Sequence, residues 1–194
     1  MEHFILVDEF PKGMFIGRKG IVIDVVKKIR EKLKYLSKGE VLVVDMSEIE
    51  LLDFSFAHEL ILNTLLLLGK GVFEDKYLVF YNPSSIVFEN LEAALKLSKF
   101  CAIILYPDDN WNIAGLELPE HFLEPLNIVM SLGEADVLTI TRNHQKEISQ
   151  NNCNNRLKQL YNYYKLIHRK KENHVTGGNF YIYKSLLKKV SQVS

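Results

Sequence analysis

The order of apolar and polar positions divides the chain into two patterns. In the first, HFILVDEF is short and apolar and reads as a first strand, or as a strand pair with MFIG. RKGIVIDVVKKIREKLKYLSKG then places Ile21, Val25, Ile29, Leu33 and Leu36 at spacings of three and four, with lysines and arginines on the other side. That spacing predicts an amphipathic helix closed by Gly39. VLVVDM is a continuous, mostly β-branched run of the kind that fills a buried strand. SFAHELILNTLLLLGKG predicts a helix stopped by Gly69 and Gly71, and KYLVFYN another strand. Pro83 opens a helix over PSSIVFENLEAALKLSK, since proline suits a first turn. CAIILYPDDNWNIAG predicts two strands joined at PDDN. Such alternation of strands and helices predicts an α/β domain, a mixed sheet with packed helices, over residues 1–115.

The second pattern covers residues 116–194. LELPEHFLEPLNIVM carries Pro119 and Pro125 and marks a boundary followed by a helix from about Glu124 to Leu132. HQKEIS reads as a short second helix. CNNRLKQLYNYYK reads as a third, capped by Asn151 or Asn152, because asparagine accepts a bond from a free helix N–H. LIHRKK and NFYIYKSL read as strands around ENHVTGG, whose paired glycines permit positive φ. In the third helix, Cys153, Leu157, Leu160 and Tyr164 form one apolar stripe. The other side presents Asn151, Asn154, Asn155, Lys158, Gln159 and Asn162, without an acid. Amides and basic groups can bond base edges and phosphates without repulsion.

Charge sharpens this division. The chain has equal numbers of basic and acidic residues, 24 of each. From Val137 onward there are eleven basic residues against Glu147 and Glu172, a net charge of +9, which leaves −9 for the first 136 residues. A basic C-terminal part suits a phosphate backbone. Cys101 and Cys153 are the only cysteines, too few for a disulfide framework, and no histidine pair has a metal spacing with them. The acidic, briefly apolar N-terminus does not read as a signal peptide, and LILNTLLLLG is too short to span a bilayer. A cytoplasmic protein without a membrane partner is expected.

The stretch DFSFAHEL gathers Asp53, Ser55, His58 and Glu59. A triad built from consecutive turns of one helix would misdirect base and nucleophile, and no oxyanion hole, cofactor loop or metal spacing accompanies it. No enzymatic activity, cofactor or metal is expected. Asp53 or Ser55 caps the helix instead. Ser55 is also a candidate for phosphorylation, since a helix N-terminus binds anions. Arg18 and Lys19, just before a helix, are either solvated or hold an anion.

Two resemblances follow from these residues. The segments HQKEISQN, CNNRLKQL, KLIHR, NHVTGG and NFYIYKSL resemble the winged helix-turn-helix module of bacterial transcriptional regulators. That family often has glycine where Lys165 stands. VLVVDMSEIELLDFSFAHEL resembles the STAS-like group, related to anti-sigma-factor antagonists, in its strand ending at Asp45 and its D-x-S helix start. Ser55 matches the serine phosphorylated in classical antagonists, although Phe56 stands where those have glycine. The resemblances imply a non-enzymatic regulator in which a STAS-like domain senses a signal, a regulatory protein or a kinase. A winged helix would then bind double-stranded DNA. Asn154, Asn155, Lys158 and Gln159 would serve base contacts, and Arg156, Arg169, Lys170 and Lys171 phosphates. Arg156 could instead pair with Glu147. Half-site reading implies a homodimer, with no coiled-coil seam visible. The alternative is a protein-interaction adaptor in a kinase or anti-sigma-type cascade, without DNA binding.

Overall fold

Continuous apolar runs in the first half and short, mixed elements in the second give two different architectures in the computed structural model. It describes residues 1–9, 13–17, 20–145, 147–173 and 179–187. Arg18, Lys19, Lys146 and the paired glycines Gly177 and Gly178 lie outside that set. The chain divides into two compact units, Met1–Glu117 and Leu118–Ser194, two residues beyond the expected boundary. The described residues form six α-helices and a mixed sheet system.

The first unit holds β1 (Glu2–Ile5), β2 (Met14–Phe15), α1 (Ile21–Tyr35), β3 (Val41–Asp45), β4 (Leu51–Leu52) and α2 (Phe54–Gly69). It continues with β5 (Tyr77–Tyr81), α3 (Ser85–Ser98), β6 (Cys101–Leu105) and β7 (Trp111–Gly115). Its five-stranded sheet runs β1-β3-β5-β6-β7. The first four strands are parallel and β7 returns antiparallel to β6. The first four residues of each of β3, β5 and β6 are buried. Parallel sheets covered on both faces read as unbroken apolar runs for that reason. MFIG does not pair with the first strand. β2 forms a two-residue parallel ladder with β4, while β1 joins β3 and a 3-10 turn over Leu6–Glu9 separates the two. Burial of Phe4, Leu6 and Phe15 in one core favours this arrangement over a local hairpin.

Helix ends also differ from the sequence reading. α1 stops at Tyr35 because Leu36 turns extended; Gly39 lies further on, at φ 86. Pro83 stands ahead of α3 rather than in its first turn. Ser84 takes the capping position, its Oγ accepting from the Val87 N–H at 3.4 Å. Gly115 closes β7 at φ 96, where a Cβ would lie 2.4 Å from the Phe100 carbonyl oxygen and 2.6 Å from Leu95 Cβ.

The second unit holds α4 (Glu120–Leu132), β8 (Glu134–Asp136), α5 (Val137–Asn143), α6 (Gln150–Asn162), β9 (Ile167–Asn173) and β10 (Asn179–Ser185). Its antiparallel sheet runs β8-β10-β9. α4 starts four residues before Glu124 and runs through Pro125, which is buried and removes one helix donor near the N-terminal end. The second helix is Val137–Asn143, not HQKEIS. The Asp136 carboxylate caps it by accepting from the Thr139 N–H at 2.7 Å, and the described residues of 144–149 are non-helical. Its β-branched Val137, Thr139, Ile140 and Thr141 obscured it, because such residues favour strands. β8 has a single buried residue, Ala135, and was invisible as a strand until β10 paired with it.

Candidate nucleic-acid interface

Between Ile148 and Lys171 the sequence contains no acid and six basic residues. α6 and β9 occupy most of that stretch. Ser149, rather than Asn151 or Asn152, caps α6, its Oγ accepting from the Asn152 N–H at 3.3 Å. Cys153, Leu157 and Leu160 are buried, as their spacing predicts, and burial pushes the Cys153 thiol up. Tyr164 falls just past the helix, half-buried, with its ring edge-on to Phe122 at 5.3 Å.

The opposite side of α6 exposes Asn151, Asn152, Asn155, Gln159 and Asn162. Lys158 is half-buried, on the same stripe as Asn154 and Tyr161. Asn154 is also half-buried, and its Oδ1 accepts from the Tyr183 hydroxyl at 3.0 Å. This ties α6 to β10. Burial pushes the Tyr183 phenol up, against the pull of Arg169.

β9 and β10 pair in a register that opposes Arg169 to Tyr183, Lys170 to Ile182 and Lys171 to Tyr181. Alternation along a strand puts Arg169, Lys171, Tyr181 and Tyr183 on one face and Lys170, Glu172 and Lys184 on the other. The first face is the one turned to α6: the Arg169 guanidinium carbon lies 4.4 Å from the ring centres of both Tyr161 and Tyr181. Lys165 Nζ stands 5.3 Å over Tyr161. Lys165 itself takes φ 57, the left-handed conformation that glycine would adopt most easily. On the outer face Lys170 pairs with Glu172 at 2.5 Å and Lys184 with Glu134 at 2.8 Å. The Glu172 contact raises the Lys170 pKa, and Lys170 lowers that of Glu172. The three hairpin cations expected to serve phosphates, Arg169, Lys170 and Lys171, are thus split between two faces.

Arg156 pairs neither with Glu147 nor with an exposed surface. Its Nη1 lies 3.5 Å from His144 Nε2, and His144 Nδ1 lies 3.0 Å from a Glu124 carboxylate oxygen. One tautomer fits both contacts: Nδ1–H donates to Glu124 while Nε2 accepts from Arg156. The other Glu124 oxygen accepts from the Gln145 N–H. One α4 carboxylate therefore organises the connector between α5 and α6, a role the sequence did not disclose.

In the first unit, Asp53 is the cap of α2. Oδ1 accepts from the Phe56 N–H at 2.7 Å and Oδ2 from the Gly17 N–H at 2.9 Å. Ser55 is half-buried in the first turn. The neighbouring polar groups do not converge on it. His58 stacks on Phe54 at 5.7 Å, its Nδ1 buried without a hydrogen-bond partner, and Glu59 accepts from the Asn63 amide at 3.2 Å.

Among the described residues no group of three metal-ligating side chains comes together, and no helix is long and apolar enough to cross a membrane. Counted by unit, Leu118–Ser194 carries eleven basic and six acidic residues, a net charge of +5, and Met1–Glu117 carries −5. Comparisons with family models, with curated proteins and with solved structures return no match for this chain.

Proposed function

We propose that the chain is a non-enzymatic cytoplasmic regulator of bacterial type, with a STAS-like sensing domain ahead of a winged helix that binds double-stranded DNA. The observation that carries this reading is the continuity of α6 with the inner face of the hairpin. Outward amides run into Lys158, which shares its stripe with Tyr161, and the Tyr161 ring carries Arg169 of the inner face. The element order supports it as well: helix, strand, helix, helix, strand, strand, with β10 between β8 and β9, resembles the order expected of a winged helix. α6 would enter the major groove. Asn155, Lys158 and Gln159 would approach bases, with Asn154 held by Tyr183 behind them. Lys171 and Arg169 would meet phosphates, and Arg156, turned to His144, would position α6. In the first unit, a phosphate on Ser55 would sit at the positive end of α2 beside the Asp53 carboxylate, a local repulsion able to alter a partner surface.

Filter binding of the full chain to random duplex DNA at low salt tests this. Weak binding to any sequence is expected, falling steeply with salt. The double change R169A/K171A should flatten the salt slope by about two, one per lost phosphate contact, while Lys170→Ala, on the outer face, should leave it nearly unchanged. An equal response to both sets of changes would remove the assigned face. A second reading, a protein-interaction adaptor, is favoured by one observation: the neutralisation of Lys170 and Lys184 leaves fewer unpaired cations than the sequence suggests. Absence of any duplex binding at low salt would select it.

A further inference from the structure

In the first unit a groove of about 480 Å³ lies along α1 and α2. Val22, Ile23, Val26 and Phe73 line it with apolar surface, and Ile23 is 61% exposed. Single exposed apolar side chains are ordinary, but here one continues a concave apolar surface. Along the rim stand Lys27, Arg30 and Lys34. Other cations of α1 serve the unit itself: Lys28 pairs with Glu9 and Lys32 with Glu2. Among the described residues Lys27, Arg30 and Lys34 have no ion-pair partner. Two carboxylates also line the groove, Glu31 on α1 and Glu59 on α2, and Glu59 is engaged by Asn63.

The geometry points to an acidic amphipathic helix of a partner protein as the occupant. Lys27 to Lys34 spans seven residues, about 10 Å of helix axis. A small carboxylate would use one of the three cations. A helix lying along the groove brings carboxylates at matching intervals, while its apolar face covers Ile23 and Phe73. A bare polyanion would gain nothing from the apolar floor. Complementary charge along an apolar seam selects both orientation and partner. The proposal concerns the first unit alone, deepens its reading as a sensing domain, and is read with a peptide, so failure of DNA binding leaves it standing.

The test uses the full chain and a fluorescein-labelled peptide of about five helical turns, with leucines at i, i+3, i+4 and i+7 spacing and glutamates flanking them. Anisotropy should show saturable binding. K27E/R30E/K34E should weaken it by about tenfold or more and transfer preference to the matching peptide with lysines in place of glutamates. Ile23→Ser, at an exposed position, should weaken binding about threefold without altering the circular dichroism of the fold. The proposal fails if no saturable binding occurs, or if both variants bind as tightly as the parent. It fails equally if a leucine-free glutamate peptide or duplex DNA competes as well as the amphipathic peptide. Dodecanoate binding with the same sensitivity to variants, in place of the peptide, would assign the groove to a small amphipathic acid instead.

Discussion

α2 and α6 begin in the same way and are used in opposite ways. Each starts behind a short oxygen-bearing side chain that accepts from an N–H three residues on, Asp53 to Phe56 and Ser149 to Asn152. Beyond its cap, α2 buries Phe56, Ala57, Leu60, Ile61, Thr64, Leu65 and Leu68, and Asp53 also holds the preceding loop through Gly17. α6 buries Cys153, Leu157 and Leu160 and leaves amides outside. Helix stability in the first of these therefore rests on tertiary burial over about half of the circumference. In the second it rests on a narrow stripe, supplemented by polar and cation–tyrosine contacts from the hairpin. A helix with little apolar surface committed to its own fold retains a face for something else.

The sharpest way to break the first side of the comparison is Gly115→Ala. A methyl group there meets backbone and Leu95 at a positive φ, so a loss of at least about 3 kcal/mol is expected, measured by denaturant unfolding. Unchanged stability would show that Gly115 is not packed closely against Phe100 and Leu95.

The two caps give the direct contrast. Asp53→Ala removes a cap and leaves the Gly17 N–H without its acceptor, for about 2–3 kcal/mol, whereas Ser149→Ala removes one longer, exposed bond, for about 0.5–1 kcal/mol. Equal losses would mean that the Gly17 tie contributes nothing. The smallest effect is opposite in sign. Lys165→Gly relieves a left-handed non-glycine residue and should stabilise the chain by about 0.5–1 kcal/mol, less what is lost with the Tyr161 contact. A thermal melt reads it, and destabilisation would show that the cation over Tyr161 outweighs the backbone cost.

What could be read from the linear pattern was whatever depends on local periodicity. The runs VLVV, YLVF and CAII announce buried strands because each needs only its own residues to be apolar. The same holds for the apolar stripe of α1, the helix closed by LLLLGKG and the stripe of α6. Tertiary pairing decided the rest. β8 became a strand only because β10 offered it an edge. Val137–Asn143 became a helix, against its β-branched residues, because Asp136 capped it between β8 and the connector held by Glu124. The candidate interface divides along the same line. Its absence of acids and its outward amides are properties of composition and of a 3.6-residue repeat, so they were visible beforehand. Which hairpin cations turn toward α6 depends on strand register and on partners distant in the chain, Tyr161, Tyr183, Glu134 and Glu172, and a one-residue change of register would exchange Lys170 for Lys171.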